Sequence, residues 1–380
     1  MKIGIVCYPT FGGSGVVATE LGKALADKGH QVHFISYNIP FRFDNVSSNM
    51  FYHEVVVSDY PLFDYPPYEL VLASKLVDVV KYERLDLLHV HYAIPHASAA
   101  YMAKQILASQ GIFIPYITTL HGTDITLVGK DESFEPVITF AINQSDGVTA
   151  VSESLRQDTF THFKITRDIK VIPNFVEIAA YSRVAGLCHK FNYAPGGQKI
   201  LIHISNFRKV KRVEDVVRVF EKVRKVIPSK LLLVGDGPER HKIESLSREL
   251  GIGDDVRMLG KLKATEQILS IADIFILPSE TESFGLAALE AMASSVPVIS
   301  SNTGGLPEIN IQGFSGFLSN VGDVDDMAKN AIHILENDMR LAQFKKNALE
   351  QAKKYDLNKV LPVYEEYYEE ILSGKLVKSL

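Results

Sequence analysis

The sequence predicts two consecutive doubly wound α/β domains, each a parallel sheet between layers of helices. Three observations carry that expectation. Apolar runs of four to seven residues alternate with longer stretches of helical period, the pattern of strands buried on both faces. The rhythm restarts after an aperiodic stretch at 186–198 that contains Pro195-Gly196-Gly197, where a linker is expected. The chain has 380 residues, beyond the roughly 250–300 at which one core stops growing.

The elements follow in order. A strand over 2–7, a glycine-rich loop over 8–15, a helix over 16–28 closed by Gly29 and a strand over 31–36 make a βαβ unit. Further strands are expected at 87–91, 115–120, 147–151 and 170–172, with Ser152 capping the helix after the third of these. Beyond the linker come a strand at 199–205, a helix at 213–227 and a strand at 230–234. The turn Gly235-Asp236-Gly237-Pro238 leads into a helix that ends at Gly251, and strands follow at 256–259, 274–277 and 297–300. The tail over 358–371 has helical period, with Tyr364, Tyr367 and Tyr368 beside Glu365, Glu366, Glu369 and Glu370. It reads as a packed surface helix with a solvated acidic face.

Composition narrows the function. Apolar residues at 46% and charged residues at 22% are ordinary globular usage and exclude disorder as the main state. A net charge of -5 gives no whole-chain positive field, so nucleic acid is not an expected partner. No apolar run approaches the ~20 residues of a membrane span. Cys7 and Cys188 stand alone, which excludes a disulfide framework and a zinc ribbon and points to a reducing, cytoplasmic setting.

Doubly wound sheets bind ligands at the carboxyl ends of their strands, so chemistry is sought in the loops there, and two facing sheets would share a cleft. Gly12-Gly13-Ser14-Gly15 sits between strand and helix, where free amides and the helix dipole favour an anion or polar ligand. Gly13, Gly15 and Ala18 also satisfy G-x-G-x-x-A, but the second strand ends Ser36-Tyr37-Asn38 with no acid to hold a ribose, which counts against a dinucleotide. His121-Gly122-Thr123-Asp124 follows a strand end, and its imidazole can bond a substrate hydroxyl or act as acid or base. His89 and His91 share a strand face with His96 nearby, a weak metal signal without a carboxylate or cysteine at ligand spacing. Asn206-Phe207-Arg208-Lys209-Val210-Lys211-Arg212 suits a diphosphate. Glu282 and Glu290 lie eight apart, about 12 Å if wholly helical, so they would touch different ends of a long ligand. A glycosidase pair would have to face one bond, which residues on one helix do poorly. The amides of Phe284, Gly285 and Leu286 form the helix start between the two acids.

These motifs together, with Ala291-Met292-Ala293 and the loop Gly304-Gly305-Leu306-Pro307-Glu308, resemble the retaining glycosyltransferases of family 4 over nearly the whole chain. The resemblance implies a GT-B fold: two Rossmann-like domains with a cleft between them and a C-terminal helix crossing back to the first. The expected division is an acceptor domain at 1–173, with the helix 358–380 packing on it, and a nucleotide-sugar domain at 174–357. The opening stretch from Cys7 to Leu21 is similar to the branch that glycosylates L-malate at the start of bacillithiol synthesis, with UDP-N-acetylglucosamine as donor. Other acceptors and UDP-N-acetylglucosamine 2-epimerase chemistry on the same frame are the alternatives.

Carried over by position, Glu290 binds the uridine ribose and Glu282 a sugar hydroxyl. The amides of Phe284, Gly285 and Leu286, with Ser283, Gly13 and Gly15, complete the donor site. Lys211 matches the family's diphosphate lysine, and His121 the histidine near the transferred sugar. The family has arginine five residues before that lysine where this chain has Asn206, and Arg208 is expected to compensate. Ser14, Tyr92, Thr119 and Thr123 are the acceptor candidates. The resemblance also implies no cofactor and no metal, with the leaving diphosphate taking the acceptor proton. It leaves a homo-oligomer open.

Overall fold

The structure, a computed structural model, describes residues 1–10, 12–44, 47–57, 67–127, 131–183 and 189–374. Cys188 and the end of the tail, 375–380, lie outside them. The chain forms two compact units, residues 1–174 with 358–380, and residues 175–357.

The strands are β1 (Lys2–Val6), β2 (Gln31–Ser36), β3 (Met50–Glu54), β4 (Leu87–His91), β5 (Tyr116–Leu120), β6 (Gly147–Ala150) and β7 (Lys170–Val171) in the first unit. The second has β8 (Lys199–Ser205), β9 (Ser229–Gly235), β10 (Val256–Gly260), β11 (Ile274–Leu277), β12 (Val298–Ser301) and β13 (Gly316–Ser319). The helices are α1 (Gly13–Asp27), α2 (Tyr68–Glu83), α3 (Ser98–Ala108), α4 (Glu135–Gln144), α5 (Glu153–His162), α6 (Ile178–Arg183) and α7 (Val213–Arg224). They continue as α8 (Arg240–Glu249), α9 (Thr265–Leu269), α10 (Leu286–Ala293), α11 (Leu306–Ile309), α12 (Val324–Leu335), α13 (Asp338–Ala352) and α14 (Leu357–Leu372).

Both sheets are parallel throughout, in the orders β3-β2-β1-β4-β5-β6-β7 and β10-β9-β8-β11-β12-β13. Each order reverses direction beside its first strand, between β1 and β4 and between β8 and β11, the switch points where such sheets open a ligand crevice. Strands β1, β4, β8 and β11 are almost wholly buried because helices cover both faces. On one face of the second sheet, Val216, Phe220 and Val223 of α7 pack with Ala331 and Ile334 of α12 against Leu231, Leu233 and Ile276.

The switch of units falls at Asn174–Phe175, not in the aperiodic stretch around 186–198. Val176 pairs with Asp356, Phe175 and Tyr181 are buried, and Lys190 forms an ion pair with buried Asp273. Its described part, 189–198, belongs to the second unit, fastened there through Lys190. The tail helix α14 also differs from expectation in its acidic face. Glu365 bonds His30 at 3.0 Å and Glu370 pairs with Lys170 at 3.3 Å, while Glu366 and Glu369 stay exposed. Its tyrosines are interior: Tyr367 accepts the Val148 N–H at 3.0 Å and Tyr368 bonds His89 at 2.8 Å.

Candidate active site

In the second unit the loops after β8 and β11 flank the switch point. The Glu280 N–H donates to the Val210 carbonyl at 2.8 Å and fastens one loop to the other. Lys211 then donates its ammonium to Glu282 Oε1, and the Ser279 hydroxyl donates to the same oxygen at 3.0 Å. Both members of the ion pair are mostly covered, Lys211 at 21% and Glu282 at 13% exposure, so the pair is held in a medium less screening than water. Behind it, His203 bonds the Ile276 carbonyl and Ser205 Oγ at 2.8 Å each. Burial pulls this imidazole down to about 4, and it stays neutral beside the lysine. Asn206 and Arg208 are exposed on the same loop, where Arg208 can meet an anion.

Gly285 caps α10 in a left-handed conformation, φ 92°, that a side chain would strain. The helix therefore begins at Leu286, and Glu290 stands four residues past that start. Glu282 belongs to the loop and Glu290 to the helix. The Phe284 side chain is buried against Tyr355, ring centres 5.7 Å apart, leaving only its amide for a ligand. Ser283 and Leu286 are half-buried, and Glu290 is buried at 9% exposure. Gly304 props the loop from beneath. Its φ is 54°, a Cβ there would lie 1.9 Å from the Glu282 carbonyl oxygen, and the next amide, Gly305 N–H, donates to that oxygen at 2.9 Å.

In the first unit the switch point is bridged by a tyrosine. Tyr92, the residue after β4, donates its hydroxyl to Ser14 Oγ at 2.8 Å. Its backbone sits at φ 91°, ψ 141°, an uncommon conformation costing about 1–3 kcal/mol and typical of functional sites. Ser14 and Gly13 lie in the first turn of α1, capped by Gly12. Gly15 presses so close to the β1 turn that a Cβ would be 2.6 Å from the Thr10 carbonyl oxygen. Asp124, fully covered, accepts the N–H groups of Ala93 at 2.9 Å and Gly122 at 3.1 Å, tying the loop after β5 to the loop after β4. Burial raises its carboxyl to about 6 against those bonds.

The histidines form a chain. His91 Nδ1 bonds His121 Nε2 at 2.8 Å, and His89 stacks on His91 with ring centres 4.5 Å apart. His89 bonds Tyr368 and Thr119, the latter at 2.7 Å, and Thr119 bonds Thr149 at 2.6 Å. Burial depresses His89 and His121 to about 3 and His96 to about 4. His121 is thus a neutral hydrogen-bonding group near pH 7, with one ring nitrogen already committed to His91. Thr119 faces the packed interior, fully buried with its hydroxyl shared by His89 and Thr149, whereas Ser14, Tyr92 and Thr123 are grouped at the loop end. Sequence reasoning passed over Ser279, His203, His91 as partner of His121, and Tyr368. Only the period of the tail hinted at Tyr368.

Over 374 residues, 98% of this chain and 97% of the relative, the sequence is 47% identical to N-acetyl-alpha-D-glucosaminyl L-malate synthase of Bacillus anthracis. The chain belongs to the family 4 glycosyltransferases. Residues 11–180 match the Glycosyltransferase Family 4 description, and residues 189–351 match glycosyl transferases group 1. An uncharacterised glycosyltransferase of Methanocaldococcus jannaschii is 27% identical over 96% of this chain and 97% of its own. Among solved structures, the Anabaena HepE protein in complex with UDP and glucose superposes with TM-score 0.82 at 20% identity, covering 97% of this chain and all of that one. Sucrose-phosphate synthase of Thermosynechococcus elongatus gives 0.80 at 21% identity, over 98% of this chain and 100% of its own. This family 4 glycosyltransferase therefore shares its two-domain parallel-sheet fold with enzymes far from it in sequence. No helix among its described residues is long and apolar enough to cross a membrane.

Proposed function

We propose that this glycosyltransferase moves N-acetylglucosamine from UDP-N-acetylglucosamine to the hydroxyl of L-malate with retention at the anomeric carbon, opening bacillithiol synthesis. The observation that carries the reading is the 47% identity, over almost the full length of both chains, to an enzyme named for that product.

The second unit holds the donor. Glu290 takes the uridine ribose, Glu282 a hydroxyl of the transferred sugar, and the amides of Phe284, Gly285 and Leu286 the oxygens that a helix start favours. Ser283, beside those amides, belongs to the same set of donor contacts. Lys211 and Arg208 meet the diphosphate, with Asn206 beside them. Lys211 is already oriented by Glu282, so little reorganisation is needed when negative charge builds on the leaving group. The acceptor is held in the first unit by Ser14, Tyr92 and Thr123, while Thr119 supports His89 from below.

His121 acts as a neutral donor or acceptor to the sugar, its orientation set by His91. In retaining transfer of this kind the acceptor attacks the face the diphosphate leaves, and a diphosphate oxygen takes the acceptor proton. The protein positions and stabilises; it supplies no nucleophile. Transfer without a metal ion belongs to the proposal, since Lys211, Arg208 and the helix amides meet the diphosphate charge. The described cysteine, Cys7, is buried and free, in keeping with a cytoplasmic setting. The test is product identification: incubation with UDP-N-acetylglucosamine and L-malate should give one new glycoside by mass, with the small anomeric proton coupling of an α-linkage. A free sugar or an epimerised nucleotide sugar in its place would refute the reading.

A further inference from the structure

We propose that His33, His53 and Glu83 form a site for a borderline divalent metal ion, zinc above all, apart from the substrate loops. The two histidines are 20 positions apart, and Glu83 is 30 further on, which is why no motif reveals them. The parallel pairing of β2 with β3 sets His33 opposite Phe51 and Ile35 opposite His53, so all four lie on one face of the sheet. Ile35 of that face belongs to the same buried cluster as Val79 and Val80 of α2, and that helix ends at Glu83.

One ligand atom from each of the three side chains falls within 4.8 Å of the other two. His33 Nδ1 and His53 Nε2 are 2.9 Å apart, and Phe51 stacks on His33 with ring centres at 4.6 Å, fixing its plane. A zinc ion with bonds of about 2.0–2.1 Å holds its ligand atoms about 3.4 Å apart, so small side-chain rotations suffice to close the site.

The chemistry favours a cation over a hydrogen-bonded pair alone. His33 is 1% exposed, so its Nδ1 beside His53 Nε2 lies in a medium less screening than water. The Glu83 carboxylate faces both rings and forms no ion pair among the described residues. It stands at a helix C-terminus, whose dipole also favours positive charge. The cations facing the cluster are Lys2, which donates to the Glu83 carbonyl at 3.0 Å, and Lys75. Two imidazoles and a carboxylate suit zinc, with water completing the shell.

The test uses the full chain, stripped with chelator, desalted and titrated with Zn2+ by calorimetry and with Co2+ by visible absorption. The expected result is one equivalent of each, with intense cobalt bands of low coordination number and a zinc-dependent rise in melting temperature. His53→Ala and Glu83→Gln should each weaken zinc at least ~10-fold while UDP affinity is unchanged. Absence of saturable binding overturns the proposal, and so does one-equivalent binding that both variants retain. The site does not rest on the proposed transfer reaction: chelated enzyme that still turns over is compatible with it.

Discussion

Replacing Gly304 by alanine tests how the donor loop is held. Two penalties apply. The first is the left-handed backbone, φ 54°, which costs a non-glycine residue roughly 1–2 kcal/mol. The second is steric, since the new methyl carbon would sit 1.9 Å from the Glu282 carbonyl oxygen. Ordinary contact needs about 1.5 Å more, and the neighbour is backbone that cannot swing aside. Relief therefore displaces the loop that carries Glu282, and Lys211 is bonded to that side chain. A displacement near 1 Å at a positioning group costs about 10²-fold in rate, or ~2.7 kcal/mol of barrier.

Gly313→Ala is the matched control, with φ 71° and open space around its Cβ. Initial rates of UDP release, with melting curves for both proteins, separate the two effects. Gly304→Ala should lose about 100-fold in kcat/KM, whereas Gly313→Ala should lose ~1 kcal/mol of stability and no activity. Activity in Gly304→Ala within threefold of the native enzyme would refute the reasoning.

Four further outcomes follow. Glu290→Ala should weaken UDP binding, and Glu282→Ala should abolish transfer while leaving UDP affinity near native; equal UDP affinities in calorimetry would contradict these roles. Ser279→Ala removes one bond to a charged oxygen and should slow turnover roughly 10-fold, given about 1.5 kcal/mol for such a bond; an unchanged kcat would contradict it. Tyr368→Phe strands a fully buried His89 nitrogen and should cost about 1–3 kcal/mol, visible as a lower melting temperature. Finally, His89 and His121 are held near 3 and His96 and His203 near 4, against an ordinary 6.5, so below pH 6.5 the unfolded chain binds protons the folded chain refuses. Their stabilisation is full above that pH and is lost progressively toward 3, at up to about 1.4 kcal/mol per pH unit for each group. Asp124, raised to about 6, opposes with a single proton. The melting temperature should therefore fall from pH 7 to pH 5, and a flat profile would contradict the assignment.

Most of the sheet framework is legible in the amino-acid order because its central strands are continuous apolar runs. The expected spans 31–36, 87–91, 199–205 and 274–277 match β2, β4, β8 and β11 to the residue. Two of the four edge strands, β3 and β13, escape that logic. Met50–Glu54 is half-exposed and mixes charge with aromatics, and Gly316–Ser319 has four residues, so neither stands out by period. On the donor side, Lys211 and Glu282 were found as separate motifs, but their contact needs the parallel neighbours β8 and β11 to bring two loops together 71 positions apart. Buried polar partners were the least visible. His203 reads as one polar residue in an apolar strand, and its bonds to Ile276 and Ser205 exist only once the sheet is built. The chain from Tyr368 through His89 to Thr119 spans three elements that no local pattern links.

The most direct measurement is UDP release from UDP-N-acetylglucosamine, with and without L-malate, each in the presence and absence of chelator. The account predicts release that requires malate and persists in chelator. Release at the same rate without malate would contradict the transfer reaction, and release abolished by chelator would contradict its independence of metal.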